Sequence, residues 1–120
     1  MIHSDTPLQD LEITRRRSLS VRDFFERFRE EMELTFLSAE EQCNSFITQS
    51  TVNRPGLALA GFTDVYSHHR IQVLGSTEWA FLESMGEQHR QEVFHVLARF
   101  HAPLWILTHD LPPHEELLEM

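Results

Sequence analysis

Ile71-Gln72-Val73-Leu74-Gly75-Ser76-Thr77-Glu78 is the stretch on which the fold turns. Ile71 to Leu74 is rich in strand formers, and Gly75-Ser76-Thr77 reads as a tight turn from strand into helix, with a hydroxyl available to cap the helix. The helix that follows is expected to set Phe81, Leu82 and Met85 inward and to stop at Gly86. A second helix, Glu87 to His101, carries Val93, Phe94, Leu97 and Phe100 or His101 along one stripe. Leu104 to Leu107 is continuously apolar, the pattern of a strand covered on both faces. Pro112-Pro113 then opens a last helix at positions where a missing N–H does no harm. Short strands interleaved with helices in this order predict a small layered α/β domain, a short mixed sheet flanked by helices.

Working back from that stretch, Arg54-Pro55-Gly56 interrupts regular structure, since proline fixes its own φ and biases the residue before it. Leu57 to Gly61 follows as a short helical or looped element. Phe46 to Gln49 and Leu34 to Leu37 read as brief strands on either side of a polar interval, Ser38 to Ser45. Val21, Phe24, Phe25, Phe28 and Met32 recur at helical spacing, with charged residues on the other faces. Ser20 is placed to cap this helix, and Asp23 suits its positive end. Residues 1–19 are expected to form a flexible arm or an edge strand, through Leu11 to Thr14, ahead of a folded domain over 20–120. The last helix has only about two turns before Met120, short for a helix without support, which points to a chain that continues.

Hydrophobic residues make up 41% of the 120 positions, with nine Phe, two Trp and one Tyr, enough for one real core. The net charge of -9 opposes nucleic acid phosphates and anionic lipid, so neither is an expected partner. Arg15, Arg16 and Arg17 concentrate positive charge near one terminus and read as solvated. A single cysteine, Cys43, forms no internal disulfide. No apolar run approaches a membrane span and the polar start, Met1 to Thr6, is unlike a secretory signal, so a cytoplasmic setting is expected.

The chemistry open to this chain is limited. A phosphate-loop enzyme needs clustered glycines, a lysine and a hydroxyl. Here Gly56, Gly61, Gly75 and Gly86 are isolated, and all ten cations are arginines. Eight histidines suggest metal, but His89, His95 and His101 recur every six residues and diverge around a helix, while His68-His69 is adjacent in a loop; no metal site is expected. Glu30-Glu31 and Glu115-Glu116 cannot face each other on a helix and read as solvated charge. No G-x-S-x-G turn is present. No catalytic or cofactor-binding residue is expected.

Asn53-Arg54-Pro55-Gly56-Leu57-Ala58-Leu59-Ala60-Gly61-Phe62, followed by His69-Arg70 and the stretch from Ile71 to Glu78, resembles the amino-terminal domain of the HPr kinase/phosphorylase family. Pro112-Pro113 with Glu115 to Glu119 looks like that family's P-P-x-E-L-L segment, and the resemblance runs from Val21 to Met120. It implies an α/β domain, distantly like the first domain of cell-wall UDP-sugar-peptide ligases. It also implies, as partner, a carboxy-terminal phosphate-loop kinase domain that assembles as a homo-oligomer and uses ATP or pyrophosphate with Mg²⁺. That domain phosphorylates, and with inorganic phosphate dephosphorylates, a serine of the bacterial phosphocarrier HPr in carbon catabolite control. The family's glycine before the second strand has no counterpart in Ser38 to Asn44.

Within the shared blocks, Pro55, Gly56, Gly61 and Gly75 are expected to shape the backbone. Arg54, Arg70 and Glu78 are candidates for an interface or for anion contacts. Two functions follow: a regulatory or scaffolding module that performs no chemistry, or an independent domain that holds a small anionic metabolite between Arg54 and Arg70. Burial of the arginines against acids favours the first, and a cleft lined by both favours the second.

Overall fold

The computed structural model describes residues 2–4, 19–36, 46–49 and 51–119. In chain order the elements are β1 (Ile2–Ser4), β2 (Leu19–Ser20), α1 (Val21–Phe28), β3 (Thr35–Phe36), β4 (Phe46–Ile47), β5 (Val52–Asn53), α2 (Gly56–Leu59), β6 (Ile71–Leu74), α3 (Ser76–Ser84), α4 (Glu87–Ala98), β7 (Trp105–Thr108) and α5 (Glu115–Leu118). Five strands form a mixed sheet in the order β3-β1-β7-β6-β5, and β2 and β4 form a separate two-stranded antiparallel pair. The pairs β5–β6, β6–β7 and β1–β7 are parallel and β1–β3 is antiparallel. This is the expected α/β architecture.

All four residues of β7 are buried, as the apolar run Leu104 to Leu107 predicts, and so are all four of β6. Because side chains alternate across a strand, the sheet divides the core in two. Ile71, Val73 and Ile106 pack with Ile2, Val21, Phe24 and Phe25, so α1 covers one face. Leu74, Trp105 and Leu107 pack with Leu59, Leu82, Phe94, Leu97 and Leu117, so α2 to α5 cover the other. Parallel strands require such coverage, since a crossover helix returns over one face each time.

Ser20 caps α1 as expected, its Oγ accepting the Asp23 N–H at 3.0 Å. The helix ends at Phe28, earlier than the spacing through Met32 suggests. Glu33 has φ 51°, and the Met32 and Leu34 N–H groups donate to the Phe28 and Arg29 carbonyls. The chain thus uses a looser turn to bring both Met32 and Leu34 into the core.

Several expectations are corrected. Phe81, expected to face inward, is 39% exposed, and only Leu82 and Met85 of that trio are buried. The expected hydroxyl cap of α3 is absent: Gly75 is its N-cap, and Glu78 Oε2 accepts the Gly75 N–H at 3.3 Å. α3 stops just before Gly86, its C-cap being Met85, and Gly86 also serves as the N-cap of α4. The strands around 35 and 46 enter different sheets. The edge strand expected at Leu11 to Thr14 lies outside the described residues, as do Arg15 to Arg17 and the polar interval Ser38 to Ser45 with Cys43. A strand does form near the start, but at Ile2–Ser4, inside the sheet between β3 and β7.

Candidate functional site

The polar residues of the shared blocks sit at the two ends of β5 and β6. At the carboxyl ends, β5 runs into Arg54 and the buried Pro55, which precedes α2 with φ −85° and accepts the Leu59 N–H at 2.9 Å. The Gly61 and Phe62 N–H groups donate to the Ala58 and Leu57 carbonyls at 3.0 and 2.9 Å, closing α2 in a Schellman arrangement that needs the left-handed Gly61, φ 101°. Gly56 has open space where a Cβ would stand.

Arg54 then reaches across to the first turn of α3. Its Nε and Nη2 donate to Glu78 Oε1 and Oε2 at 2.6 and 2.8 Å, a two-pronged ion pair. The Glu78 side chain is 6% exposed and that of Arg54 is 59% exposed, so the acid is the buried partner. Burial is the largest single influence on the Glu78 carboxyl and pushes its pKa up. The hydrogen bonds from Arg54, from its own backbone and from Gly75, with the Arg54 charge, together outweigh burial and hold the carboxyl below its ordinary value. The Glu78 hydrogen bond and charge in turn raise the pKa of Arg54. Gly75 makes room for this contact, since a Cβ there would lie 2.9 Å from Arg54 Nη2.

Arg70 is not part of this cluster. It precedes β6, whereas Gly75 and Glu78 follow it, and the intervening strand separates the two ends by roughly 15 Å at about 3.3 Å per residue. Arg54 follows β5 and Arg70 precedes the parallel β6, so the two arginines stand at opposite ends of this strand pair. At the Arg70 end the organiser is Gln72, fully buried and absent from the candidate residues above. Its Nε2 donates to the Ser67 and Arg70 carbonyls, both at 2.9 Å, and its Oε1 accepts Asn53 Nδ2 at 2.7 Å. The available signal was an amide inside an otherwise apolar strand.

A third polar cluster ties down α5. Arg90 Nη1 donates to the Leu82 and Met85 carbonyls at 3.0 and 2.8 Å, at the open end of α3, and its Nε lies 3.4 Å from Glu116 Oε1. Glu116, expected as solvated charge, is buried by this pairing; Glu115 is exposed. Trp79 Nε1 donates to the Pro112 carbonyl at 2.8 Å, and His114 Nε2 lies 2.7 Å from Glu83 Oε1. Among the described residues no three His, Cys, Asp or Glu side chains are grouped to hold a metal, and no helix is long and apolar enough to cross a membrane.

The arrangement thus consists of polar pins between strand ends and helix starts, and residues 19–120 match the family described as HPr Serine kinase N terminus. The chain belongs to the HPr serine kinase N-terminal family. Relatives named HPr kinase/phosphorylase include that of Chlorobium phaeovibrioides, 38% identical over 108 residues, which are 88% of this chain and 32% of the relative. That of Chlorobium limicola is 39% identical over 108 residues, 88% of this chain and 33% of the relative. That of Clostridium tetani is 40% identical over 70 residues, 58% of this chain and 23% of the relative. This HPr serine kinase N-terminal domain therefore spans about a third of the length of the curated relatives it matches.

Proposed function

We propose that this domain is a non-catalytic regulatory and scaffolding module of a bifunctional HPr serine kinase/phosphorylase acting in bacterial carbon catabolite control in the cytoplasm. The chemistry resides in a carboxy-terminal kinase domain that binds ATP and Mg²⁺ and acts on HPr. The observation that carries this reading is the two-pronged pairing of Arg54 with the buried Glu78. The most strongly charged pair of the shared blocks is spent holding β5 to α3, which suits a rigid platform better than a substrate site. The absence of any lysine in the sequence supports the same reading, because phosphate-loop transfer depends on one.

The test compares the intact kinase/phosphorylase, the same protein without residues 19–120, and this domain alone, each given HPr, ATP and Mg²⁺. Serine phosphorylation is expected from the first two, with a changed response to regulatory metabolites in the second, and none from the third. Phosphorylation by this domain alone would overturn the proposal, as would an unchanged regulatory response after its removal.

A further inference from the structure

Leu57, Phe62 and Val65 are 65%, 49% and 67% exposed, three large apolar side chains in one short stretch. A single exposed apolar residue is ordinary, but a group of them marks a surface that meets something. The backbone fixes the grouping. The Phe62 N–H donates to the Leu57 carbonyl at 2.9 Å, a closure of α2 that brings these two positions side by side. The Tyr66 N–H donates to the Thr63 carbonyl at 3.2 Å, so the turn carrying Val65 follows directly. Tyr66 is buried edge-on against Phe100 just past the end of α4, with ring centres 5.2 Å apart. Val96, four residues before Phe100, adds a further exposed apolar side chain there.

These side chains are not needed to seal the core. α2 already buries Ala58 and Leu59, and the turn already buries Tyr66, so Leu57, Phe62 and Val65 stand where a surface element ordinarily carries polar residues. Positions 55–63 contain no charged residue, in a chain that is 24% charged. Arg54 and Asp64, both exposed, flank them. An uncharged apolar centre with charges at its rim is the composition of a protein interface. The turns beneath it are hydrogen-bonded before any partner arrives, so docking loses little to ordering them.

The place where the described chain ends selects the occupant. α4 packs against both α2 and α5, so the last described turn lies within about 30 Å of this surface, two helix spacings and the length of α4. An extended connection of roughly nine residues spans that distance. The aligned 108 residues are 32% and 33% of two relatives, and the matched family is an N terminus, so most of such a protein follows this domain. A second copy is the poorer occupant, because each carries a net charge of -9 and repels the other. We infer that the surface formed by Leu57, Phe62 and Val65 is the face on which the domain following residue 120 docks in the intact protein. This rests on the reading that a kinase domain follows, and it requires of that domain an apolar patch as complement.

The intact protein is prepared with a photoreactive benzophenone side chain in place of Phe62 and irradiated, and the cross-linked peptides are identified by mass spectrometry. Cross-links to sequence beyond residue 120 are expected. A benzophenone in place of Phe46, exposed beside Ile47 of the α1-side core, is the control and should give none. Leu57→Asp, at a side chain already facing solvent, should keep the fold by circular dichroism and speed limited proteolysis just after residue 120 roughly tenfold. HPr phosphorylation by the unmodified protein is measured alongside and reports on the kinase reading separately. Cross-links from position 62 that stay within residues 1–120 of either copy, or none at all, would overturn the docking face even where HPr is phosphorylated. Equal yields from positions 62 and 46, or an unchanged proteolysis rate, would do the same. Cross-links beyond residue 120 without HPr phosphorylation would uphold the face and refute the kinase reading.

Discussion

Replacing Arg54 with alanine should destabilise the domain although most of the arginine side chain faces solvent. The two charge-assisted bonds to Glu78, at 2.6 and 2.8 Å, would each be worth about 1.5–3 kcal/mol if buried. The Arg54 side chain is 59% exposed, and screening by solvent reduces its share to that of a surface pair. The larger cost falls on Glu78, which stays buried with only its own backbone N–H and the Gly75 N–H, at 3.3 Å, as donors. A net loss of about 2 kcal/mol follows, on the order of 8 °C in Tm for a chain of this size. The sign with pH is fixed by the carboxylate. Its folded pKa lies below the unfolded one, so the contribution is complete above the ordinary carboxylate range and is lost as pH falls through the folded value. Urea denaturation of both proteins near pH 7 and again near pH 3.5 should therefore show a gap that narrows in acid. Gly75→Ala provides an internal check, because its methyl would displace Arg54 Nη2. It should cost no more than Arg54→Ala and almost nothing on top of it. A loss under about 0.5 kcal/mol for Arg54→Ala at neutral pH, or a gap independent of pH, would refute the pin.

Gln72→Leu keeps the volume but strands the Ser67 and Arg70 carbonyls and the Asn53 amide; a loss of about 2–3 kcal/mol is expected in chemical denaturation, with unchanged secondary structure by circular dichroism. Arg90→Ala uncaps α3 and leaves Glu116 buried without its cation, for a loss of about 2–3 kcal/mol. Hydrogen exchange should then accelerate first in α5, which Arg90 links to α3.

The parts of the fold carried by periodicity were legible. Val21, Phe24 and Phe25 on α1, Val93, Phe94 and Leu97 on α4, and the apolar runs of β6 and β7 each reveal their buried faces, because apolar spacing is set by the geometry of the element itself. Arg54, Arg70 and Glu78 stand out in the sequence as charges among turn and strand signals, but that Arg54 pairs with Glu78 over Gly75 while Arg70 stays apart depends on tertiary approach. Phe81 shows the limit: beside Leu82 on a short helix, a rotation of one residue decides which is inside, and only the sheet fixes that rotation. Gln72 and Arg90 were missed because a lone polar residue in a strand or helix looks like its solvent face until its partners, distant in sequence, are known. Ile2 was missed because three residues among polar neighbours carry no period.

That short β1 has a consequence for how the molecule is assembled. Ile2 lies opposite Ile106, so their pairing closes a loop made of almost the whole chain, whereas β7 reaches β6 across the α3–α4 crossover alone. Loop-closure entropy rises with separation, which makes β1 a late arrival in folding. Until it docks, one side of β7 presents unpaired N–H and C=O groups beside buried apolar side chains, a template on which another chain can add a strand. A protein begun at residue 19, where the family match starts, would keep that template open and leave β3 without its neighbour. The first few residues thus cover the edge of β7 on which a foreign strand would otherwise add.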